Sequence, residues 1–106
     1  MAEIVVKQKN IGTTVSARVG DSLRVELPEN PTTGFRWVPA ELNAGIVDLR
    51  ADDFLPVGGT AVGAGGVRVF RFHVKGTGSS RLQFKLSRAW ESGVPSQLFE
   101  IQIDVS

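Results

Sequence analysis

The chain has no cysteine and only one histidine in 106 residues. Without cysteine there can be no disulfide, no thiolate metal site and no cysteine nucleophile. A fold of this size must then hold together by packing alone. No apolar run approaches the ~20 residues of a membrane-spanning helix. No segment of ten or more residues repeats at the 3.6-residue helical period. Neither sign of charge is in excess: 12 Lys and Arg face 11 Asp and Glu, and the basic residues are scattered. That balance gives no reason to expect nucleic acid or an anionic membrane as partner. Met1 to Gln8 lacks the apolar core of a signal peptide. The expectation is a cytoplasmic protein by default, or an exported or vesicular one if a leader has been removed. Repeats, linkers and low-complexity tracts are absent, so residues 1–106 are expected to form one domain. A monomer without cofactor or metal is expected.

What the chain does have is alternation. Apolar residues make up 42% of it, enough for a domain that buries roughly 60 to 70% of its unfolded surface. Leu23, Val25 and Leu27 alternate with Arg24 and Glu26. Val15, Ala17 and Val19 alternate with Thr14, Ser16 and Arg18, and Leu82, Phe84 and Leu86 with Gln83, Lys85 and Ser87. Phe99, Ile101, Ile103 and Val105 alternate with Glu100, Gln102 and Asp104. Each pattern predicts a strand with one buried and one wet face. Strands are expected at about 3–8, 13–19, 22–27, 35–38, 46–54, 67–75, 80–88 and 97–105, the first two forming one split edge strand. Val67 to Lys75 changes phase near Val69, through either a β-bulge or burial of both faces. Short strands with turn signals between them predict an all-β, immunoglobulin-like antiparallel sandwich of seven to eight strands.

Three motifs fall at every second connection: Asn30-Pro31-Thr32-Thr33-Gly34-Phe35, Gly63-Ala64-Gly65-Gly66 and Arg88-Ala89-Trp90. Strands that reverse direction bring every second connection to the same end of a sheet, so all three motifs should meet on one edge. In the first, Pro31 fixes its own φ and Gly34 permits a positive one. Alone it reads as a tight turn, although two stiff threonines at a turn tip also suit insertion into a narrow cleft. The glycine run is either a slack hinge or a backbone open to close approach. A phosphate cradle is disfavoured, because no Gly-Lys-Ser/Thr and no helix follow. Arg88 and Trp90 continue the core parity of the preceding strand. An arginine does not fit a core, so the chain is expected to have left the sheet by there. Trp90 is then a lid or an exposed anchor, and Trp37 the core tryptophan. The 55–66 stretch is the longest irregular one and a functional suspect.

An enzyme is disfavoured. His73 shares parity with Arg71 and Lys75 and should face solvent. Asp52 and Asp53 should face opposite sides of a solvated edge rather than act as paired carboxylates. No GxSxG elbow is present.

Together the three motifs resemble the chagasin family, inhibitors of papain-like cysteine peptidases. Residues 30–35 match the family's NPTTG loop with its following aromatic in full. Residues 63–66 match its GxGG loop. Arg88 and Trp90 match two of three positions of its RPW motif, with order and spacing kept along the domain. The resemblance implies an immunoglobulin-like sandwich whose three loops plug a peptidase cleft. It places Thr32 and Thr33 near the catalytic Cys–His pair and the glycine loop on the unprimed side. Arg88 and Trp90 would dock on the primed side. Ala89 replaces the usual proline, which should cost roughly 0.4–1 kcal/mol of preorganisation, up to about fivefold in affinity. The resemblance implies a cathepsin-like peptidase as partner. The competing class is an immunoglobulin-like adhesion or scaffold module, which leaves the three matched loops as coincidence.

Overall fold

The computed structural model describes residues 2–56, 65–88 and 95–106. Among them run eight strands: β1 (Glu3–Lys7), β2 (Thr14–Ala17), β3 (Ser22–Glu29), β4 (Phe35–Glu41), β5 (Val47–Pro56), β6 (Gly66–Val74), β7 (Gly78–Arg88) and β8 (Gln97–Val105). Two short 3-10 turns interrupt them, Gln8–Asn10 and Pro31–Thr33. The strands form two four-stranded sheets in the orders β1-β3-β6-β5 and β2-β8-β7-β4. This is the expected immunoglobulin-like sandwich.

The expected split edge strand is divided between the sheets: β1 borders the first and β2 the second. Both pair parallel to their neighbours, β1 with β3 and β2 with β8, while the remaining pairings are antiparallel. Period-two alternation reports which face is buried but not the direction of the neighbour, so the parallel pairs carry no signature in the sequence.

The alternating residues fill the space between the sheets. Leu23, Val25, Leu27, Phe70, Phe72 and Val74 from one sheet meet Trp37, Leu82, Phe84, Phe99, Ile101 and Ile103 from the other, all buried. Phe84 is the hub. It stacks on Phe70 across the sheets at 4.7 Å between centroids and meets Phe72 at 6.1 Å and Phe99 at 6.2 Å. Such ring pairs add about 0.5–1.5 kcal/mol each beyond their area. The phase change near Val69 comes from burial of both faces, since Val69 and Phe70 are both buried and the β3–β6 register runs through them unbroken. Register shifts lie instead on β5, between Leu49 and Ala51, and on β4, between Pro39 and Glu41.

Candidate functional site

Register places the ends of the motif-bearing strands at one pole. In the first sheet Gly66 opposes both Glu29 and Pro56, so the bases of the 30–34 and 57–65 connections are level. In the second sheet Phe35 opposes Arg88, which levels the first connection with the start of the third. Asn30 to Phe35, Gly65, Gly66 and Arg88 are thus brought together. Gly63, Ala64, Ala89 and Trp90 lie outside the described residues.

The first loop is closed by its own side chains. Asn30 Oδ1 accepts from the Thr32 backbone N–H at 3.1 Å and from Thr32 Oγ1 at 2.7 Å. Thr33 Oγ1 donates to the Asn30 carbonyl at 2.7 Å, and Gly34 N–H donates to the Pro31 carbonyl at 3.1 Å. Gly34 takes φ 79°, the left-handed conformation that ends the turn. Both threonine hydroxyls are therefore used to build the turn itself. The result is a stiff tip on which Pro31, Thr32 and Thr33 are exposed.

Arg88 does not leave the sheet, contrary to the sequence expectation. β7 continues through it. The inward position is tolerated because the guanidinium is partnered: it lies 4.3 Å from the Phe35 ring centroid, and Arg88 Nε donates to the Thr33 carbonyl at 3.2 Å. The third motif thereby braces the first. Trp37, one inward step below Phe35, is the core tryptophan as expected, and its indole N–H donates to the Pro28 carbonyl at 2.8 Å.

The glycine run has an internal reason at one position. A Cβ on Gly66 would lie 2.5 Å from both the Leu55 carbonyl oxygen and the Phe54 ring, whereas one on Gly65 would meet only the Glu29 carbonyl oxygen, at 3.6 Å. Gly66 is glycine because its own neighbours cover it.

The family model for chagasin family peptidase inhibitor I42 matches residues 16–105. The chain belongs to the chagasin family. Chagasin of Trypanosoma cruzi is 30% identical over 95 residues, covering 85% of this chain and 84% of that protein. Amoebiasin-1 of Entamoeba histolytica is 28% identical over 104 residues, covering 92% and 95%. The crystal structure of EhICP2, a cysteine protease inhibitor from Entamoeba histolytica, shares the fold with TM-score 0.89 at 23% identity, covering 100% of this chain and 97% of that one. PbICP-C, solved in complex with falcipain-2, shares it with TM-score 0.77 at 15% identity, covering 97% and 99%. Chagasin-family members are peptidase inhibitors, not enzymes.

Beneath this chagasin-family edge lies a charged cluster that motif reading passed over. Arg68 Nη2 reaches Glu29 Oε2 at 2.7 Å and Arg68 Nη1 reaches Asp52 Oδ1 at 3.1 Å. Asp52 Oδ2 in turn accepts from Arg36 Nη2 at 3.1 Å. Burial weakens the Arg68 charge, but the Glu29 and Asp52 carboxylates outweigh it and hold the guanidinium above its ordinary range. The expected solvated edge at Asp52-Asp53 is half right: β5 is an edge strand and Asp53 is exposed, but Asp52 joins this cluster. A signal was available, since Glu29 shares parity with Leu27 and Arg68 with Phe70. No group of three or more His, Asp or Glu side chains among the described residues could hold a metal ion.

Proposed function

We propose that this protein is a reversible, tight-binding inhibitor of papain-like, cathepsin-type cysteine peptidases. Residues 1–106 act as one inhibitor domain that plugs the active-site cleft with one pole of the sandwich. The contacts come from Asn30, Pro31, Thr32, Thr33, Gly34 and Phe35, from Gly63 to Gly66, and from Arg88, Ala89 and Trp90. The observation that carries this reading is the level register of Glu29, Gly66 and Pro56 in one sheet and of Phe35 and Arg88 in the other, in a chain of this family.

The protein does no chemistry. The threonine loop is already hydrogen-bonded in isolation, so little conformational entropy remains to be lost on binding. A stiff loop also resists cleavage when its carbonyls are held out of attack geometry relative to the enzyme thiolate. A standard interface buries about 800 Å² per partner, and an aromatic anchor such as Trp90 would supply a large share of its energy.

Titration of active papain with the purified protein tests this reading. Loss of activity at stoichiometric, submicromolar inhibitor is expected, and full activity at micromolar inhibitor overturns it. Trp90→Ala is expected to weaken inhibition about 30-fold or more, the equivalent of about 2 kcal/mol, with an unchanged melting curve. Undiminished inhibition by that variant removes the anchor role.

A further inference from the structure

The charged cluster under the loops joins four strands: Glu29 on β3, Arg36 on β4, Asp52 on β5 and Arg68 on β6. We propose that Glu29 and Arg68 are positioning residues that fix the spacing between the threonine loop and the glycine loop, so that the binding edge is assembled before it meets a peptidase. This rests on the inhibitory reading above.

Placement is the first argument. Glu29 immediately precedes Asn30 and pairs with Gly66, and Arg68 follows Gly66 by two residues. The pair therefore ties the root of one loop to the root of the other. Geometry is the second. Arg68 Nε lies 3.3 and 3.2 Å from the two Glu29 oxygens, and Nη2 lies 2.7 Å from Oε2, a forked contact that holds both direction and distance. Glu29 Oε1 also accepts the Trp37 backbone N–H at 2.7 Å. One carboxylate thus grips β6 in its own sheet and β4 in the facing sheet. The Phe54 ring stands 5.6 Å from the Arg68 guanidinium and covers Gly66, which closes the other side.

The third argument is cost. The Glu29 side chain is 1% exposed and that of Arg68 12%. Stripping water from such a pair is expensive, and apolar replacements of similar volume are often as stable or more so. Leu23, Val25, Leu27, Phe70, Phe72 and Val74 occupy the inward positions of β3 and β6 further from the loops. Stability alone would be served by more of them. What the ion pair adds is a single permitted arrangement of the loop roots, and the loops it governs are the ones assigned to the peptidase.

The test uses the double variant E29Q/R68M. Arg68→Met alone strands a buried carboxylate and can unfold the chain. The double variant is neutral, keeps the volume and leaves an acceptor for Trp37 N–H. Three quantities are read: the melting curve, the association rate with papain, and ¹⁵N relaxation of the amides of residues 32–35 and 65–67. The expected result is a cooperative melt, association slower by about 10- to 100-fold because the competent arrangement is less populated, and exchange broadening at both loop roots. Ile103→Val, a mild change in the apolar core, should leave association and relaxation unchanged. Arg68→Lys, which keeps the charge but not the fork, should behave like the double variant. The proposal is overturned by a double variant that fails to fold, by one that folds with native association and relaxation, or by full function in Arg68→Lys. If the native protein does not inhibit papain and the loop roots still broaden only in the double and Lys variants, positioning stands and the target assignment falls.

Discussion

The two poles of the sandwich are built by different means. At the pole away from the motifs, connections are tied largely through backbone, with the Asp21 carboxylate as a side-chain addition that accepts from the Ala2 and Arg18 N–H groups. Gly20 N–H donates to the Val74 carbonyl and Val74 N–H to that of Asp21. Lys75 and Gly76 N–H donate to the Ile46 carbonyl, and Ile46 and Val47 N–H to that of Asn43. At the motif pole, side chains make the ties: Arg88 to the Thr33 carbonyl, Arg68 to Glu29 and Asp52, and Arg36 to Asp52. Backbone ties survive most changes of side chain, whereas side-chain ties depend on the identity of each residue. One pole can therefore maintain the fold while the other is adjusted, residue by residue, to what it must fit.

The largest expected effect sharpens this contrast at the motif pole. Trp37→Ala removes a fully buried indole and its hydrogen bond to Pro28, which should destabilise the protein by about 3–5 kcal/mol in urea unfolding. A loss under about 1 kcal/mol would mean that β3 and β4 are held by something else. Next come two glycines, one from each pole. A Cβ on Gly76 would run into the Gly45 carbonyl, so Gly76→Ala should lower stability by about 1–3 kcal/mol and leave papain inhibition by the folded protein intact. Gly34→Ala forces alanine into a left-handed turn, at about 1–2 kcal/mol, and should weaken inhibition more than that loss of stability explains. Opposite behaviour of the two variants would break the comparison.

The smallest effect is one of pH and belongs to the backbone-built pole. Backbone N–H bonds from Ala2, and then Arg18, hold the Asp21 carboxyl below the ordinary carboxylate range. A carboxyl depressed in the folded state stabilises fully above its unfolded value, and that contribution disappears as pH falls through the lower folded value. Asp104, held low by Gln102 and Ser79, acts with the same sign. Melting temperature measured against pH should thus fall in the acid range, and less steeply for Asp21→Asn. An identical slope in the two proteins would assign the acid sensitivity elsewhere.

Much of this was legible in the residues, for definite reasons. Alternation in β3, β7 and β8 is clean because each buries one face, and reversal of strands predicted that the motif loops share a pole. Trp37 reads as the core tryptophan because it sits with Phe35 on a short strand in the middle of the chain. Parity alone misplaces Arg88, because it does not show that an inward arginine at the end of a strand can lie over Phe35 and reach a backbone carbonyl. The Glu29–Arg68 pair escaped because charged residues are read as solvated unless their phase is checked against both neighbours on the strand. The bulge on β5 leaves no mark in the sequence, because Val47, Leu49 and Ala51 alternate with Asp48, Arg50 and Asp52 without a break across it.

The parallel seat of β2 against β8 has a consequence for how the molecule is made. Thr14 lies beside Gln102, so β2 finds its neighbour only in β8, after every other strand of the sandwich has been made. Until β8 leaves the ribosome, β2 has no ladder to join, and closure of its sheet waits on the most distant strand pairing among the described residues. A nascent chain arrested before β8 would carry a finished threonine loop on a half-built body.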